Sequence, residues 1–447
     1  MEAERSGGPR LVSATCRLDE DTDPAAAAFH SRLASDRWFC WEQPDRGFAL
    51  AGWGTVAEVV SRGPDRFAEV AHDCAELINR AVLRGAEGLP AGAGAVWVGG
   101  FAFADEGGGS SPWSSFAPAS MTLPELALTR SAQGSYVTVS ALTGREPADA
   151  VARRIGASLS RISDAALPLL DPAPAGTRIE SVRSAGEFER AVSLAKERIA
   201  AGRIEKVVLA REVRVEAAAA HDPAALFGAL REVFPACFCF CCGTPEAAFL
   251  GASPELLVRR SGAGVSTVAL AGSTRRSSDP SVDDHLGERL LRSAKDRSEQ
   301  AIVARRIERA LQPHSVWVEA AAEPGLAKIA NIQHLATPIR AQLAEPRSAI
   351  EIAGLLHPTP AVGGEPWPGA AEALALEQLD RGWYAGPVGW MDSAEDGEFC
   401  VGLRSALLRD RTAHLYAGVG VVADSDPAAE LAETEIKLEA LLPLLTA

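Results

Sequence analysis

The sequence predicts a globular fold of mixed α/β type, and three observations lead there. The composition is globular, 47% hydrophobic and 23% charged over 447 residues, ample to bury a core. No run of about 18 apolar residues occurs, so no membrane-spanning helix is expected. From Ser184 onward, helical spacing alternates with short apolar runs of strand type, with no internal repeat of fixed period. Length alone would allow two or three domains, but α/β units can run long. Asp171–Gly176 (DPAPAG) is the best linker. It separates residues 1–170, poor in motifs, from residues 183–445, rich in them, without requiring that the two fold apart.

The net charge of −15 comes with no compensating basic cluster, which argues against a nucleic-acid surface and against an anionic membrane. Met1–Arg10 is polar, so no secretory signal is expected and the protein should be cytosolic.

Taken in order, Trp97–Phe103 reads as a strand in which Gly99 and Gly100 permit a close backbone approach. Asp105–Pro112 is a Gly/Ser loop. Pro147–Ile162 has helical spacing, with proline tolerable in the first turn. Ser184 and Glu187 form a capping box for a helix that runs to about Ala201 and stops at Gly202. A strand opens at Lys206, and others follow at Ala247–Gly251, Leu256–Arg259 and Val265–Leu270. One long helix is expected over His285–Leu311. Further strands are expected at Gly386–Trp390, Glu398–Leu407 and Ala413–Val422. A last helix spans Pro427–Leu444, with Asp426 as its cap. Four of the eight cysteines fall in Cys237–Cys242, where alternation puts Cys237, Cys239 and Cys241 on one strand face. Three ligands in line converge poorly on a metal, so these read as buried thiols packing as small hydrophobes.

Only five of the 44 basic residues are lysines, and Lys206 opens the apolar run Val207-Val208-Leu209. Arginine stays protonated, whereas a buried lysine can act as a base, so this lysine is either a strand-edge structural residue or a catalytic one. Asp296 and Glu299 stand three apart on one helix. Glu430 and Glu433 stand three apart on another, with Lys437 four beyond. Residues so spaced share a face. Carboxylates from two elements suit Mg²⁺, and the same spacings suit solvated helix faces with an ordinary ion pair. Glu255, in the turn Gly251-Ala252-Ser253-Pro254-Glu255, could be desolvated enough to keep its proton near neutrality. The Gly272-Ser273 turn offers backbone N–H groups to an anion. Gly418 and Gly420 permit close ligand approach but form no dinucleotide fingerprint, since the third glycine and the strand-to-helix context are missing.

In this order the segments KVVLAR, GASPELL, LAGSTRR, KDRSEQ, QHLATPI, LHPTPAVGG, WYAGPVGW, LRSALL, LYAGVGVV and ETEIK resemble the chorismate-utilising enzymes. That family holds isochorismate synthases, salicylate synthases and the large subunits of anthranilate and aminodeoxychorismate synthases. The resemblance runs from Ser184 to Leu445, and VGGFAF looks like a strand of isochorismate synthases. It implies two extensive, mainly antiparallel sheets stacked as a sandwich, with helices outside and the site in a cleft between them. It also implies Lys206 as general base and Glu255 as general acid. Glu299 and Glu433 would be Mg²⁺ ligands, supported by Asp296 and Glu430. Arg404 and the backbone at Gly418 and Gly420 would grip a substrate carboxylate, with further contacts from Lys437, Gly272 and Ser273. His334, Ala361, Val362 and Tyr384 would line the pocket.

Two positions depart from the family pattern: Gln300 stands where His often follows the metal-binding Glu, and Ser273 replaces the common Thr. The anthranilate-forming members resemble this chain but lack the lysine base, and the aminodeoxychorismate-forming members carry a nucleophilic lysine where this chain has Ala271. Lys206 with Ala271 therefore points to water as the nucleophile and to chorismate as the substrate, with no obligatory amidotransferase subunit. The implied activity is isochorismate synthase, with salicylate synthase as the alternative. Menaquinone, siderophore and salicylate-derived products all draw on isochorismate. As base, Lys206 is expected to be an uncharged amine facing Glu255 across the cavity, with Glu299 and Glu433 meeting at its floor.

Overall fold

The computed structural model describes residues 10–19, 22–144, 147–162, 166–168, 173–329 and 332–446. The first nine residues of the polar N-terminus, and Asp171 and Pro172 of the linker, lie outside that set. Among the described residues, no helix is long and apolar enough to cross a membrane.

Six elements position the site: β1 (Lys206–Glu216), β2 (Gly264–Arg275), α1 (Ala294–Leu311), β3 (Ile332–Leu343), β4 (Thr412–Val421) and α2 (Pro427–Leu438). Among the described residues the strands form a thirteen-stranded and a ten-stranded sheet. β1 and β4 pair near one edge of the first sheet, and β2 and β3 pair near one edge of the second. Among the described residues, all pairs are antiparallel except Leu11–Leu18 with Val82–Arg84. The first sheet runs without a break into strands from the first third of the chain: Phe238–Gly243 pairs with Trp38–Gln43. The sheets face each other over one apolar core that includes Trp41, Phe240 and Phe249 from the first and Trp97, Phe101 and Phe399 from the second. This is the expected two-sheet α/β architecture.

Local sequence explains the faces of β1. Its residues alternate, so Val207 and Leu209 pack with Phe188 and Val192 of the capped helix Ala185–Ala200. Lys206 and Val208 then point to the opposite side. The capping box at Ser184 and Glu187 is present with both of its bonds. In the strand Phe238–Gly243, Cys239 and Cys241 join Cys237 and Cys40 in one core cluster, while Phe238 and Phe240 face the other. Burial pushes the Cys237 and Cys241 thiols up to about 12, which leaves them protonated.

Three expected elements divide. The long helix breaks at Ser293, whose extended backbone (ψ 115°) ends Pro280–Arg292 and whose hydroxyl accepts from the Asp296 N–H to cap α1. The expected last helix ends at Leu438, and a short turn of helix follows at Leu442–Leu445. The expected strand Glu398–Leu407 is two strands, Gly397–Val401 in the second sheet and Ser405–Arg409 in the first. The chain crosses between sheets at Gly402–Arg404, where Arg404 adopts φ +47°.

Candidate active site

A cleft opens where β1 and β4 of the first sheet face β2 and β3 of the second, with α1 and α2 closing it. Every residue named above as a site candidate lines it. Lys206 enters from the start of β1 and is 1% exposed. Opposite it in the strand pairing, Gly420 lies across from Val208 and Gly418 across from Ala210. A Cβ at Gly420 would fall 2.9 Å from the Lys206 Cε and closer still to Glu299, so only glycine leaves room for both side chains.

Glu255 sits in a turn fixed by its neighbours. Its N–H donates to Ser253 Oγ at 3.2 Å, and its carbonyl accepts from the Val401 N–H at 3.0 Å. Burial pushes its carboxyl up to about 7, against the pull of Lys206 and Arg404. A proton is thus available there near neutral pH. Burial pushes the Tyr384 hydroxyl up to about 12, so it remains a donor. Its ring stacks on Tyr416 at 5.1 Å. His334 is driven down to about 3 by burial and then by Arg404 and Lys437, which leaves it neutral.

The acids do not stand free. Glu299 Oε1 lies 2.7 Å from Lys206 Nζ. Glu433 Oε1 accepts from Ser273 Oγ at 2.9 Å and lies 2.8 Å from Lys437 Nζ. Glu430 Oε1 lies 3.4 Å from Lys295 Nζ. Burial would raise Glu433, but Lys437 and Ser273 outweigh it and hold the carboxyl at about 2. Asp296 is raised by burial and by the like charges of Glu299 and Glu433, and Glu430 by burial and Glu433. Asp296 packs against Gly272, where φ is +71° and a Cβ would fall 2.9 Å from the Asp296 Cβ. At this point the β2–β3 register shifts between Ala271 and Ser273, a bulge that turns Ser273 toward the cavity.

Lys206 enters the predicted cavity but is ion-paired to Glu299. Glu299 and Glu433 both line that cavity. Among the described residues, the cavity acids do not bring three ligand atoms within 4.8 Å of one another, and three of the five lie against a lysine. Arg404 differs: among the described residues no carboxylate lies within 4 Å of its guanidinium, and burial lowers its pKa. It is the cavity's unmatched cation, held at a φ that costs about 1–3 kcal/mol for a non-glycine residue.

Three further polar lining residues escaped the sequence reading. Lys295 precedes Asp296 and is one of the five lysines, so the scarcity that singled out Lys206 could have found it. Tyr416 sits directly ahead of the Gly418/Gly420 pair. Arg381 carries no sequence signal. It bonds Glu377 through Nε and a terminal nitrogen at 2.8 and 2.9 Å, and donates to the Val362 and Val208 carbonyls at 2.8 and 2.9 Å. It thereby fastens the Ala361–Val362 loop to β1. Gln300 is buried behind the site and does not line it. Its Nε2 donates to the Ala269 carbonyl and Thr337 Oγ1 at 2.8 and 2.9 Å, tying α1 to β2 and β3.

A family model described as chorismate binding enzyme matches residues 1–446. The chain is 37% identical to the salicylate biosynthesis isochorismate synthase of Pseudomonas aeruginosa, over 100% of this chain and 92% of that one. It is 33% identical to isochorismate synthase MenF of Bacillus subtilis, over 91% and 87%. Among solved structures, the menaquinone-specific isochorismate synthase MenF of Escherichia coli superposes with a TM-score of 0.81 at 26% identity, over 98% of this chain and 95% of that chain.

Proposed function

The chain belongs to the chorismate-binding enzyme family, and from that membership and the contents of its cavity we propose that it converts chorismate to isochorismate. One observation carries the reading: Lys206 and the proton-bearing Glu255 come from different strand ends and line one cavity. Making isochorismate requires water to add at C2 and hydroxide to leave from C4. Water is a weak nucleophile, so a base must take its proton; hydroxide leaves poorly, so an acid must give it one. In this reading Lys206 Nζ takes the proton of the attacking water and Glu255 protonates the departing C4 oxygen. Each positioned transfer is typically worth about 10²–10⁴ in rate.

Arg404, without an acid partner, receives one substrate carboxylate. The Gly418 and Gly420 backbone and Ser273 hold the ring in register, which converts binding into orientation. Tyr384, a neutral donor, and His334, a neutral imidazole, complete the lining. Four acids on α1 and α2, Glu430 buried and the other three half-buried, with Asp296 and Glu430 raised by burial first and then by neighbouring carboxylates, form an all-oxygen donor set that fits a hard divalent cation. Mg²⁺ would be held by Glu299 and Glu433, with Asp296 and Glu430 in support, and would supply charge neutralisation for a second carboxylate.

Water rather than ammonia is favoured by Lys206 together with Ala271, so no amidotransferase partner is needed. The test is direct: incubate the protein with chorismate and Mg²⁺ and separate the products. Accumulating isochorismate supports the reading. Salicylate with pyruvate would move the assignment to a salicylate synthase, and anthranilate formed with added ammonia would reject the role of Lys206.

A further inference from the structure

Glu255 and Arg404 stand on two neighbouring crossings of the chain between the sheets. One leaves Ala248–Ser253 in the first sheet and enters Leu256–Ser261 in the second. The other leaves Gly397–Val401 in the second and enters Ser405–Arg409 in the first. The strands before and after are paired, Ala248–Ser253 with Ser405–Arg409 and Leu256–Ser261 with Gly397–Val401, so the crossings run side by side. Two backbone bonds join them. The Ala252 N–H donates to the Arg404 carbonyl at 3.1 Å, and the Val401 N–H to the Glu255 carbonyl at 3.0 Å. A Cβ at Gly251 would fall 2.7 Å from that Arg404 oxygen, so the two main chains are in contact.

One side chain completes the join. Ser253 is 0% exposed; its hydroxyl donates to the Val401 carbonyl and accepts from the Glu255 N–H at 3.2 Å. Pro254, between them, has no N–H to offer. Ser253, Glu255 and Val401 thus close a ring of three hydrogen bonds. The Val401 carbonyl also accepts from the Leu403 N–H at 2.7 Å, one residue before Arg404.

Resting on the acid role given to Glu255 above, we infer that Ser253 is a positioning residue for the reaction. Its hydroxyl holds the proton-donating carboxyl and the carboxylate-binding guanidinium at one fixed separation. Alanine at 253 would leave the Glu255 N–H buried without an acceptor, so the turn must rotate to satisfy it, carrying the carboxyl with it. The same change frees the Val401 end of the crossing that bears Arg404. Acid and grip therefore loosen together, although neither side chain is touched.

The experiment is steady-state kinetics with chorismate and Mg²⁺ on wild type, Ser253→Ala, Ser253→Cys, Ser253→Thr, Glu255→Gln and the double variant Ser253→Ala/Glu255→Gln, with denaturant unfolding of each. Cysteine nearly keeps the volume but accepts poorly, which guards against a packing defect in the alanine variant. Ser253→Ala and Ser253→Cys should lower kcat by about tenfold to a hundredfold, the cost of a slightly misplaced group. KM should rise by about threefold, the low end of one hydrogen bond's value. Ser253→Thr, which keeps the hydroxyl, should recover most of both. Because Ser253 acts on kcat through Glu255, the double variant should turn over within about twofold of Glu255→Gln alone. Either constant left at its wild-type value in both Ser253→Ala and Ser253→Cys, whatever the unfolding midpoint, would overturn the inference. So would losses in kcat that multiply in the double variant. Both results would leave the proposed activity standing, whereas chorismate left unconverted by wild type would overturn that activity and the inference with it.

Discussion

Beside Val208, the Arg381 guanidinium closes on Glu377 through two bonds and gives further donors to the carbonyls of Val208 and Val362. Two residues earlier on the same strand, Lys206 meets Glu299 through one contact and faces open cavity. Both pairs are buried and both join a cation to a glutamate. The first is satisfied on every side: Glu377 also accepts from the Ala210 N–H at 2.8 Å, and the guanidinium lies 4.2 Å from the Phe103 ring centroid. The second leaves both partners able to turn to a ligand. Burial of charge therefore does not mark chemistry in this molecule; incomplete satisfaction beside a void does.

The largest effect expected from breaking this contrast is on turnover. Lys206→Ala should lower kcat by about 10²–10⁴ with an unfolding midpoint close to wild type, because Glu299 can rotate into the cavity. Steady-state kinetics and denaturant unfolding on the same preparation check both halves. Arg381→Met should do the reverse. It strands Glu377 without a partner, and leaving one member of a buried pair costs about 3–5 kcal/mol. Denaturant unfolding should show that loss, with kcat reduced only as far as the Val362 loop shifts.

Glu255 sharpens the comparison through pH. Its carboxyl, raised to about 7 by burial, must hold a proton to act, so kcat/KM should fall as pH rises through about 7. The stability sign follows from the same shift. The folded value lies above the unfolded one, so the native state gains nothing from ionisation. Stability is full below the unfolded pKa and declines as pH rises through about 7, by on the order of 3 kcal/mol. Glu255→Gln should remove that decline, melting above wild type at about pH 8.5 and like it at about pH 4.5, while turnover drops at every pH. A smaller effect is expected from Arg404→Lys, which keeps the charge but loses the planar fork. It should raise KM for chorismate by about tenfold, roughly the value of one charge-assisted bond, with kcat falling less.

Much of this was legible in the sequence, and the rest was hidden for identifiable reasons. The alternation of β1, the caps at Ser184 and Asp426 and the glycines at 418 and 420 are local signals, and each element formed where local chemistry placed it. The break at Ser293 was missed because the helical pattern continues through it. The split of Glu398–Leu407 was missed because its cause is tertiary: the chain must change sheets, and Arg404 takes a left-handed conformation there that nothing in the composition announces. The candidate residues line one cavity, and the Glu433–Lys437 pair was legible in the helical spacing, but the partners of Lys206 and Lys295 were not. One sequence cannot show that Glu299 turns toward Lys206, because the partners are 93 positions apart, one on a helix and the other at the start of a strand, and meet only in the tertiary fold. Arg381 was invisible for the same reason, since its four acceptors come from three separate segments.

The claim at the centre is that water, activated in this cavity, supplies the new oxygen. Turnover of chorismate in ¹⁸O-labelled water, with mass analysis of the product, tests it most directly. The account predicts one labelled oxygen per isochorismate, located at C2, formed about 10²–10⁴ times more slowly with Lys206→Ala. An unlabelled product, or label retained by that variant at the wild-type rate, would contradict it.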